Sequence, residues 1–212
     1  MSATPDVAAF DVDGTLTVRD CVGPFLVRVG GWGGLSRALA RRPAASMGAA
    51  LRRDRDRMKE LVVGGVLRGR RIDQVEQLGE TFAEFVASRW MRTDTVERLR
   101  WHQRAGHRIV LVSASLSPYL RPLGRRLGVD GVLCAEPLRQ GDEFGDGLDG
   151  GNCRAAEKVR RLERWMVEHE LSHSTVWAYG DSAGDRELLA RADHAVLVTD
   201  LRLEPAPIGF SR

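Results

Sequence analysis

The stretch Val7-Ala8-Ala9-Phe10-Asp11-Val12-Asp13-Gly14-Thr15 opens on four apolar residues and then changes abruptly to acids and a glycine. A continuous apolar run of this length, stopped in this way, is typical of a strand that is buried on both faces of a parallel sheet. We therefore predict a buried strand over residues 7–10, with Asp11 and Asp13 at its carboxyl end.

Further apolar runs along the chain have the same character and predict more strands. They occupy residues 108–112, 131–134, 175–179 and 194–198, of which 131–134 is the weakest. Amphipathic stretches that predict helices alternate with them, at residues 118–127, 155–169 and 186–191. Strands that alternate with helices indicate an α/β fold with a parallel sheet and helices on both faces. Residues 137–151 are rich in glycine and aspartate and predict a loop or an irregular hairpin.

The interval from residue 20 to residue 105 differs from the rest because it contains no convincing strand. Its pattern predicts successive helices, with breaks or kinks near Pro43, Gly64-Gly65 and Gly69; we place the helices at 34–42, 46–68, 73–90 and 93–105. We expect two units. Residues 1–19 and 106–212 would form the α/β core, and residues 20–105 would form an all-helical cap inserted between the first and second strands.

Composition narrows the class of protein. Hydrophobic residues make up 43% and charged residues 29% of the 212 residues, as in ordinary globular proteins. No apolar run reaches the roughly 18 residues that a membrane span needs, and the first residues do not resemble a signal peptide. The 3 cysteines have no CxxC spacing, so we expect a cytoplasmic protein without a disulfide framework.

The net charge of +3 is carried by basic pairs that are scattered and mixed with acids. A nucleic-acid surface would cluster these residues and interleave them with aromatics, so we expect no nucleic-acid partner. Attraction to anionic substrates or to lipid headgroups, and with it peripheral contact with a membrane, stays open. The sequence does not predict the oligomeric state.

Polar side chains stand at the carboxyl ends of three predicted strands. They are Asp11 and Asp13, Ser113, and Asp181 with Asp185. In a doubly wound sheet these ends meet in one crevice, where several carboxylates would repel each other unless a cation lies between them. Mg²⁺ suits such a site because it prefers carboxylates, water and phosphate oxygens. We predict Asp11, Asp181 and the backbone carbonyl of Asp13 as its ligands.

A phosphate group bound there needs hydrogen-bond donors and a positive charge. Ser113 offers a hydroxyl, and we expect free backbone amides at Gly14-Thr15 and Ala114. Lys158 would supply the charge. The sequence has only two lysines, Lys59 and Lys158, in an arginine-rich background, and this makes Lys158 a stronger candidate.

Two carboxylates separated by one residue suit a two-step phosphoryl transfer. Asp11 would attack phosphorus and form an aspartyl-phosphate. Asp13 would protonate the leaving alcohol and then act as the base for the water that hydrolyses this intermediate.

For three further residues the sequence allows two interpretations each. Asp185 orients Lys158 or a metal-bound water, or it caps the helix that begins at Arg186. Asp20 touches the substrate from the hinge of the cap, or it is an exposed loop acid. Ser115 is hard to separate from Ser113 as a phosphate ligand, and its alternative role is to cap the helix near Pro118.

Four segments together resemble the motifs of a known family. Residues 10–17 look like motif I of the haloacid-dehalogenase-type phosphatases, residues 110–115 like motif II, residues 152–159 with Lys158 like motif III, and residues 179–185 like motif IV. The resemblance covers nearly the whole chain. It implies a Rossmann-like core, Mg²⁺, a nucleophile at Asp11 and an acid/base at Asp13.

The helical insertion resembles the cap of the phosphoserine-phosphatase-like branch, subfamily IB. Within it, Ser113-Ala114-Ser115 and Gly151-Asn152-Cys153 look closer to the phosphatidylglycerophosphatase-C-like proteins. Phosphoserine phosphatases usually have two glycines where Ala114-Ser115 stands and a glutamate where Asp20 stands. We expect a phosphatase acting on a small or lipid-linked phosphate monoester. The alternatives are a phosphotransferase of the same fold and a non-catalytic phosphate-binding regulatory protein.

Overall fold

The computed structural model describes residues 4–204, in which one six-stranded sheet is surrounded by helices. The strands are β1 (Val7–Phe10), β2 (Arg108–Leu116), β3 (Gly131–Gln140), β4 (Glu143–Asp149), β5 (Val176–Gly180) and β6 (His194–Leu197). The helices are α1 (Val22–Ala40), α2 (Pro43–Leu51), α3 (Arg55–Leu67), α4 (Ile72–Arg89), α5 (Thr93–Arg104), α6 (Ser117–Leu127), α7 (Ala156–Glu168) and α8 (Arg186–Arg191). A single 3₁₀ turn, Ala183–Asp185, precedes α8.

The strands follow the order β4-β3-β2-β1-β5-β6 across the sheet. β1 lies between β2 and β5 and pairs with both in parallel, and β4 alone runs antiparallel, against β3. The strand order therefore reverses at β1, and ligands bind at this point in doubly wound sheets. The predicted α/β fold, with helices inserted after the first strand, is confirmed.

Side chains of β1 alternate between the two faces of the sheet, and each face has its own buried cluster. Ala8 and Phe10 belong to the larger cluster, which also contains apolar side chains of the inserted helices and of α6. Val7 and Ala9 belong to the smaller cluster with side chains of α7 and α8. Burial on both faces explains why β1 is apolar without alternation.

The inserted helices differ from the prediction in two places. α1 begins at Val22 rather than at residue 34, because its glycines are tolerated within one kinked helix whose bend lies at Gly31. The predicted helix 46–68 is two helices, since Asp54 ends the continuity. The Asp54 carboxylate accepts a hydrogen bond of 2.9 Å from the amide of Arg57 and so caps the start of α3.

Residues 137–151 form most of a β-hairpin rather than a loop. β3 continues to Gln140 and pairs with β4, with a register shift between Pro137 and Arg139. The irregular-hairpin reading of this segment was therefore the better of the two. The glycines of β4 leave room for neighbouring side chains to pack closely against the strand. A side chain at Gly145, for example, would crowd Leu138.

The insertion packs directly on the core at several points. Gly79 of α4 lies against the backbone of Pro118 at the start of α6, and α3 packs against β4. α5 packs on β2, and Arg98 of α5 donates a 3.2 Å hydrogen bond to the Tyr179 hydroxyl. Among residues 4–204, no helix is both long enough and apolar enough to cross a membrane.

Candidate active site

The turn after β1 places two carboxylates at the centre of the sheet edge. Asp11 continues the strand far enough for its amide to donate a 2.9 Å hydrogen bond to the carbonyl of Tyr179. The chain then turns, and Gly14 adopts φ = 84°, a conformation that favours glycine. A side chain at Gly14 would also collide with the carboxylate of Asp181. The glycine therefore allows the β1 loop and the β5 loop to approach each other closely.

Lys158, in the first turn of α7, lies between two buried carboxylates. Its Nζ donates a 2.6 Å hydrogen bond to Asp11 and a second hydrogen bond to Asp185. Lys158 is 2% exposed, Asp11 5% and Asp185 0%. Burial lowers the pKa of Lys158, but the two carboxylates outweigh burial and hold the pKa above its ordinary value. The ammonium group is therefore charged at neutral pH.

Asp185 is also fixed by the turn that follows β5. Its carboxylate accepts hydrogen bonds from the amide of Ser182, at 3.1 Å, and from the Ser182 hydroxyl, at 2.8 Å. Asp185 stands at the N-cap position of α8 but makes no side-chain hydrogen bond to that helix; its carboxylate instead completes a capping box with Ser182 on the 3₁₀ turn before it. Of the two readings, the structure favours the one in which Asp185 orients Lys158.

Asp13 is held from both sides of the crevice. One carboxylate oxygen accepts a 2.7 Å hydrogen bond from the Ser115 hydroxyl, and the other accepts a 2.9 Å hydrogen bond from the amide of Cys21, next to α1. Burial raises the pKa of Asp13 to about 7, with further contributions from Asp20 and Asp11. A carboxyl group with this pKa exchanges a proton readily near neutral pH.

Ser115 has a role that the sequence did not predict. Besides its bond to Asp13, its hydroxyl accepts a 2.8 Å hydrogen bond from the buried Tyr119 hydroxyl. It makes no capping bond to α6, so its alternative role as a helix cap is wrong. Ser113 differs because its hydroxyl lines the cavity above Asp11, where it accepts a 3.2 Å hydrogen bond from the amide of Ser115.

Carboxylate oxygens of Asp11, Asp181 and Asp185 lie within 4.8 Å of one another. Burial raises the pKa of Asp11 to about 6 against the opposing effect of Lys158, and burial also raises the pKa of Asp181. A cation would stabilise the charged forms of Asp11 and Asp181, and a cluster of carboxylate oxygens suits a hard divalent ion. This donor set therefore fits Mg²⁺, although Asp185 already bonds to Lys158.

Thr15 supports this cluster and does not offer a free amide. Its hydroxyl donates a 3.1 Å hydrogen bond to Asp181, and its amide donates to the carbonyl of Val12 at 3.2 Å. The expectation of a free Thr15 amide is wrong, because the β1 turn uses this donor internally. Gly14 and Asp181 line a second cavity of about 930 Å³.

A cavity of about 540 Å³ lies between the insertion and the ends of the strands. Its core wall contains Asp11, Asp13, Ser113, Ala114 and Lys158, and its opposite wall comes from α1, α2 and α3. This volume suits a small-molecule ligand.

Asp20 lines the same cavity near the start of α1. Its carboxylate also accepts a 3.0 Å hydrogen bond from the amide of Gly23. Asp20 is thus both an exposed loop acid and a member of the cavity wall, so the structure leaves both of its sequence-based readings in place.

Lys59 of α3 also lines the cavity, and the sequence did not predict it there. Its Nζ reaches across the cavity to donate hydrogen bonds to the carbonyl of Ala114 and, at 2.7 Å, to the side-chain oxygen of Asn152. Burial lowers the pKa of Lys59 to about 8. Its rarity in an arginine-rich chain was a signal for Lys59 as much as for Lys158, but helix spacing could not place it at the strand ends.

This fold and site define a class of protein that sequence comparison identifies independently. Residues 8–190 match the haloacid dehalogenase-like hydrolase family. The chain belongs to this family, and the predicted family is confirmed.

Particular relatives extend the comparison. The chain is 38% identical over 197 residues to Protein CicA of Caulobacter vibrioides, covering 91% of this chain and 86% of the relative. Among solved structures, a protein of unknown function from Bordetella pertussis Tohama I is 25% identical, with a TM-score of 0.73 and coverage of 89% and 87%. A probable phosphoserine phosphatase from Vibrio cholerae has a TM-score of 0.60 at 16% identity, covering 89% of this chain and 56% of that one, and shares the fold.

Proposed function

We propose that the protein is a Mg²⁺-dependent phosphatase that hydrolyses phosphate monoesters through an aspartyl-phosphate at Asp11. The observation that carries the proposal is the arrangement of Lys158 between Asp11 and Asp185, directly below a cavity that Asp13 also lines. Membership of a hydrolase family and the shared fold with phosphoserine phosphatases support the same reaction class.

Asp11 is the nucleophile in this proposal. Its carboxylate bonds to phosphorus as the bond between phosphorus and the ester oxygen breaks, and the electron pair of that bond leaves with the alcohol. Lys158 fixes the carboxylate on one side and brings positive charge close to the phosphate oxygens. Ser113 lines the cavity and supplies a hydroxyl donor.

Asp13 is the proton donor and then the base. Its pKa of about 7 provides a protonated fraction for the leaving alcohol oxygen and a deprotonated fraction for the water that attacks the aspartyl-phosphate. The bonds from Ser115 and Cys21 hold this carboxyl group in one orientation. Because Cys21 precedes α1, the position of the acid depends on the insertion as well as on the sheet.

Asp11, Asp181 and the carbonyl of Asp13 would hold Mg²⁺, with Asp185 behind them. When bound, the ion would neutralise charge on the phosphate and on the carboxylates. Thr15 keeps Asp181 in place through its hydroxyl.

We assign the helical insertion, residues 20–105, the role of a cap over the core formed by 1–19 and 106–212. Two contacts from the insertion support this role: Lys59 reaches across the cavity to the carbonyl of Ala114, and the amide of Cys21 holds the carboxylate of Asp13. The position of the insertion agrees with subfamily IB. The substrate is then a small or lipid-linked phosphate monoester, held by Lys158 at its phosphate and by the cap at its alcohol, and the cytoplasm is the compartment.

A substrate panel tests the proposal. Purified protein would be assayed for phosphate release from phosphoserine, sugar phosphates, nucleotides and lipid phosphate monoesters, with Mg²⁺ and with a chelator. We expect turnover of at least one monoester with Mg²⁺ and its loss with the chelator. Transfer of phosphate to an added alcohol in place of water would indicate the phosphotransferase, and no turnover of any ester would contradict the proposal.

A further inference from the structure

Residues 21–53, which form α1, α2 and the segments beside them, contain six arginines and no acidic residue. In a chain with 32 basic and 29 acidic residues, such a separation of charge is local and strong. α2 itself, Pro-Ala-Ala-Ser-Met-Gly-Ala-Ala-Leu, has no charged side chain. An arginine pair precedes it, Arg41-Arg42, and another follows it, Arg52-Arg53. We call α2 with these two pairs the α2 surface.

The apolar side chains of α2 are exposed although the helix is hydrophobic. Met47 is 62% exposed and Leu51 78% exposed, and only Ala49 is buried within the helix. Residues 44, 47 and 51 are separated by three and four positions and therefore lie on one face. Trp32, which is 75% exposed, belongs to the same acid-free segment. An uncharged helix that presents its apolar face to solvent indicates an interaction surface.

The arginines of the α2 surface are mostly available to a partner. Arg42 forms an ion pair of 2.7 Å with Asp146. Within the described residues 4–204, no ion pair is found for Arg41, Arg52 or Arg53, and all three are exposed. Long arginine side chains beside an apolar helix can hold their charges at the level of lipid phosphates while the helix contacts the acyl boundary.

The α2 surface also adjoins the catalytic cavity. Ala49, Ala50 and Arg53 line that cavity together with Asp11 and Lys158. A partner that rests on Met47 and Leu51 therefore lies beside the cavity wall.

We infer that the α2 surface docks on an anionic lipid bilayer, with Met47 and Leu51 at the acyl boundary and the arginines on lipid phosphates. A second copy of this chain fits less well, because a symmetric contact would bring the same uncompensated arginines together. The further step, that docking presents a lipid-linked phosphate monoester to the cavity, rests on the proposed function.

Vesicle co-sedimentation tests the docking without any catalytic step. The full chain would be mixed with vesicles of phosphatidylcholine alone, or with vesicles in which phosphatidylserine replaces part of it. Neither lipid is a phosphate monoester, so binding is independent of turnover. We expect binding only to the anionic vesicles, weakened by high salt. The double variant Arg41→Gln/Arg52→Gln should bind the anionic vesicles about 25-fold more weakly than the wild type. This figure follows because each arginine near an anionic surface strengthens binding about fivefold. The double variant Met47→Ser/Leu51→Ser should bind these vesicles about tenfold more weakly than the wild type.

Val167→Ser is the matched control, because Val167 of α7 is an apolar side chain that is 65% exposed on the core. We expect this variant to bind as the wild type does, and circular dichroism would show that all variants are folded. Equal binding by the α2 and control variants, or dimerisation through Met47 and Leu51 without vesicle binding, would overturn the inference. Absent vesicle binding together with normal turnover of a soluble monoester would refute the docking and leave the proposed function standing.

Discussion

Replacing Lys158 with methionine removes the ammonium group that lies between two buried carboxylates. With Lys158 present, burial already raises the pKa of Asp11 from 3.8 to about 6. That rise of about two units corresponds to about 3 kcal/mol of unfavourable free energy at pH 8. Without Lys158, Asp11 and Asp185 repel each other without compensation. Breaking a buried pair in this way costs about 3–5 kcal/mol, and we expect this loss in the free energy of unfolding at pH 8.

The pH dependence identifies the electrostatic origin of this loss. A carboxyl group whose pKa is raised in the folded state destabilises the fold at pH values above its unfolded pKa, and protonation relieves the effect. In Lys158→Met the pKa of Asp11 should rise further above 6. As the pH falls below that new pKa, the difference from wild type should shrink by about 1.4 kcal/mol per pH unit. The shrinkage should stop near pH 6, where Asp11 of the wild type takes up its own proton.

The assay is urea unfolding of both proteins at pH 8 and pH 6, with a chelator present so that no cation replaces the ammonium group. Adding Asp185→Asn to Lys158→Met should recover part of the loss at pH 8, because the carboxylate repulsion then disappears. A loss that is equal at both pH values and unaffected by Asp185→Asn would show that Lys158 acts through packing alone, and would refute this account.

Four other substitutions test three separate parts of the molecule. Asp13→Asn removes the proton donor, so kcat for a phosphate monoester should fall roughly 10²–10⁴-fold in steady-state assays. Lys59 lines the cavity that the proposal gives to the phosphate monoester, so its positive charge should help to bind the substrate. Because the pKa of Lys59 is about 8, this charge is lost as the pH rises above 8, and KM of the wild type should rise there. Lys59→Arg should keep KM flat over the same range. Gly79→Ala would place a methyl group against the backbone of Pro118, so it should lower the free energy of unfolding in urea by about 1–3 kcal/mol. Gly33→Ala is the control, because its methyl group meets open space; this variant should raise the free energy of unfolding by roughly 0.5–1 kcal/mol.

Each of these results has an outcome that contradicts it. Unchanged kcat in Asp13→Asn would remove Asp13 from proton transfer. A KM that rises above pH 8 equally in Lys59→Arg and in the wild type would assign the titration to another group. Equal effects of the two glycine substitutions would mean that the contact between α4 and α6 is not tight.

The centre of the sheet could be predicted because β1, β2 and β5 are buried on both faces. Residues 7–10 and 109–112 are apolar without interruption. The first run ends where β1 ends, whereas β2 continues past its run to Leu116. Residues 137–151 were harder, because their glycines serve close contacts with neighbouring elements, and local sequence does not show those neighbours. The break before α3 did have a local signal, the capping residue Asp54, within a pattern that otherwise continued.

The sequence predicted those site residues that lie at the carboxyl ends of the strands. Asp11 and Lys158 were expected together, and one of the two interpretations of Asp185 placed it beside Lys158. The structure brings all three together. The contacts of Ser115 and Lys59 could not be predicted. Those of Ser115 depend on how β2 extends past Ser113, and those of Lys59 depend on how α3 lies across the edge of the sheet. Both are consequences of tertiary packing, which residue spacing does not encode.

In the proposed mechanism, the phosphoryl group passes through the carboxylate of Asp11. The most direct measurement is to quench the protein with acid during turnover of a phosphate monoester, digest it, and locate the phosphoryl group by mass spectrometry. We predict a phosphoryl group on the peptide that contains Asp11 in the wild type, and neither this label nor turnover in Asp11→Asn. A label on another residue, or an Asp11→Asn variant with full activity, would contradict the account.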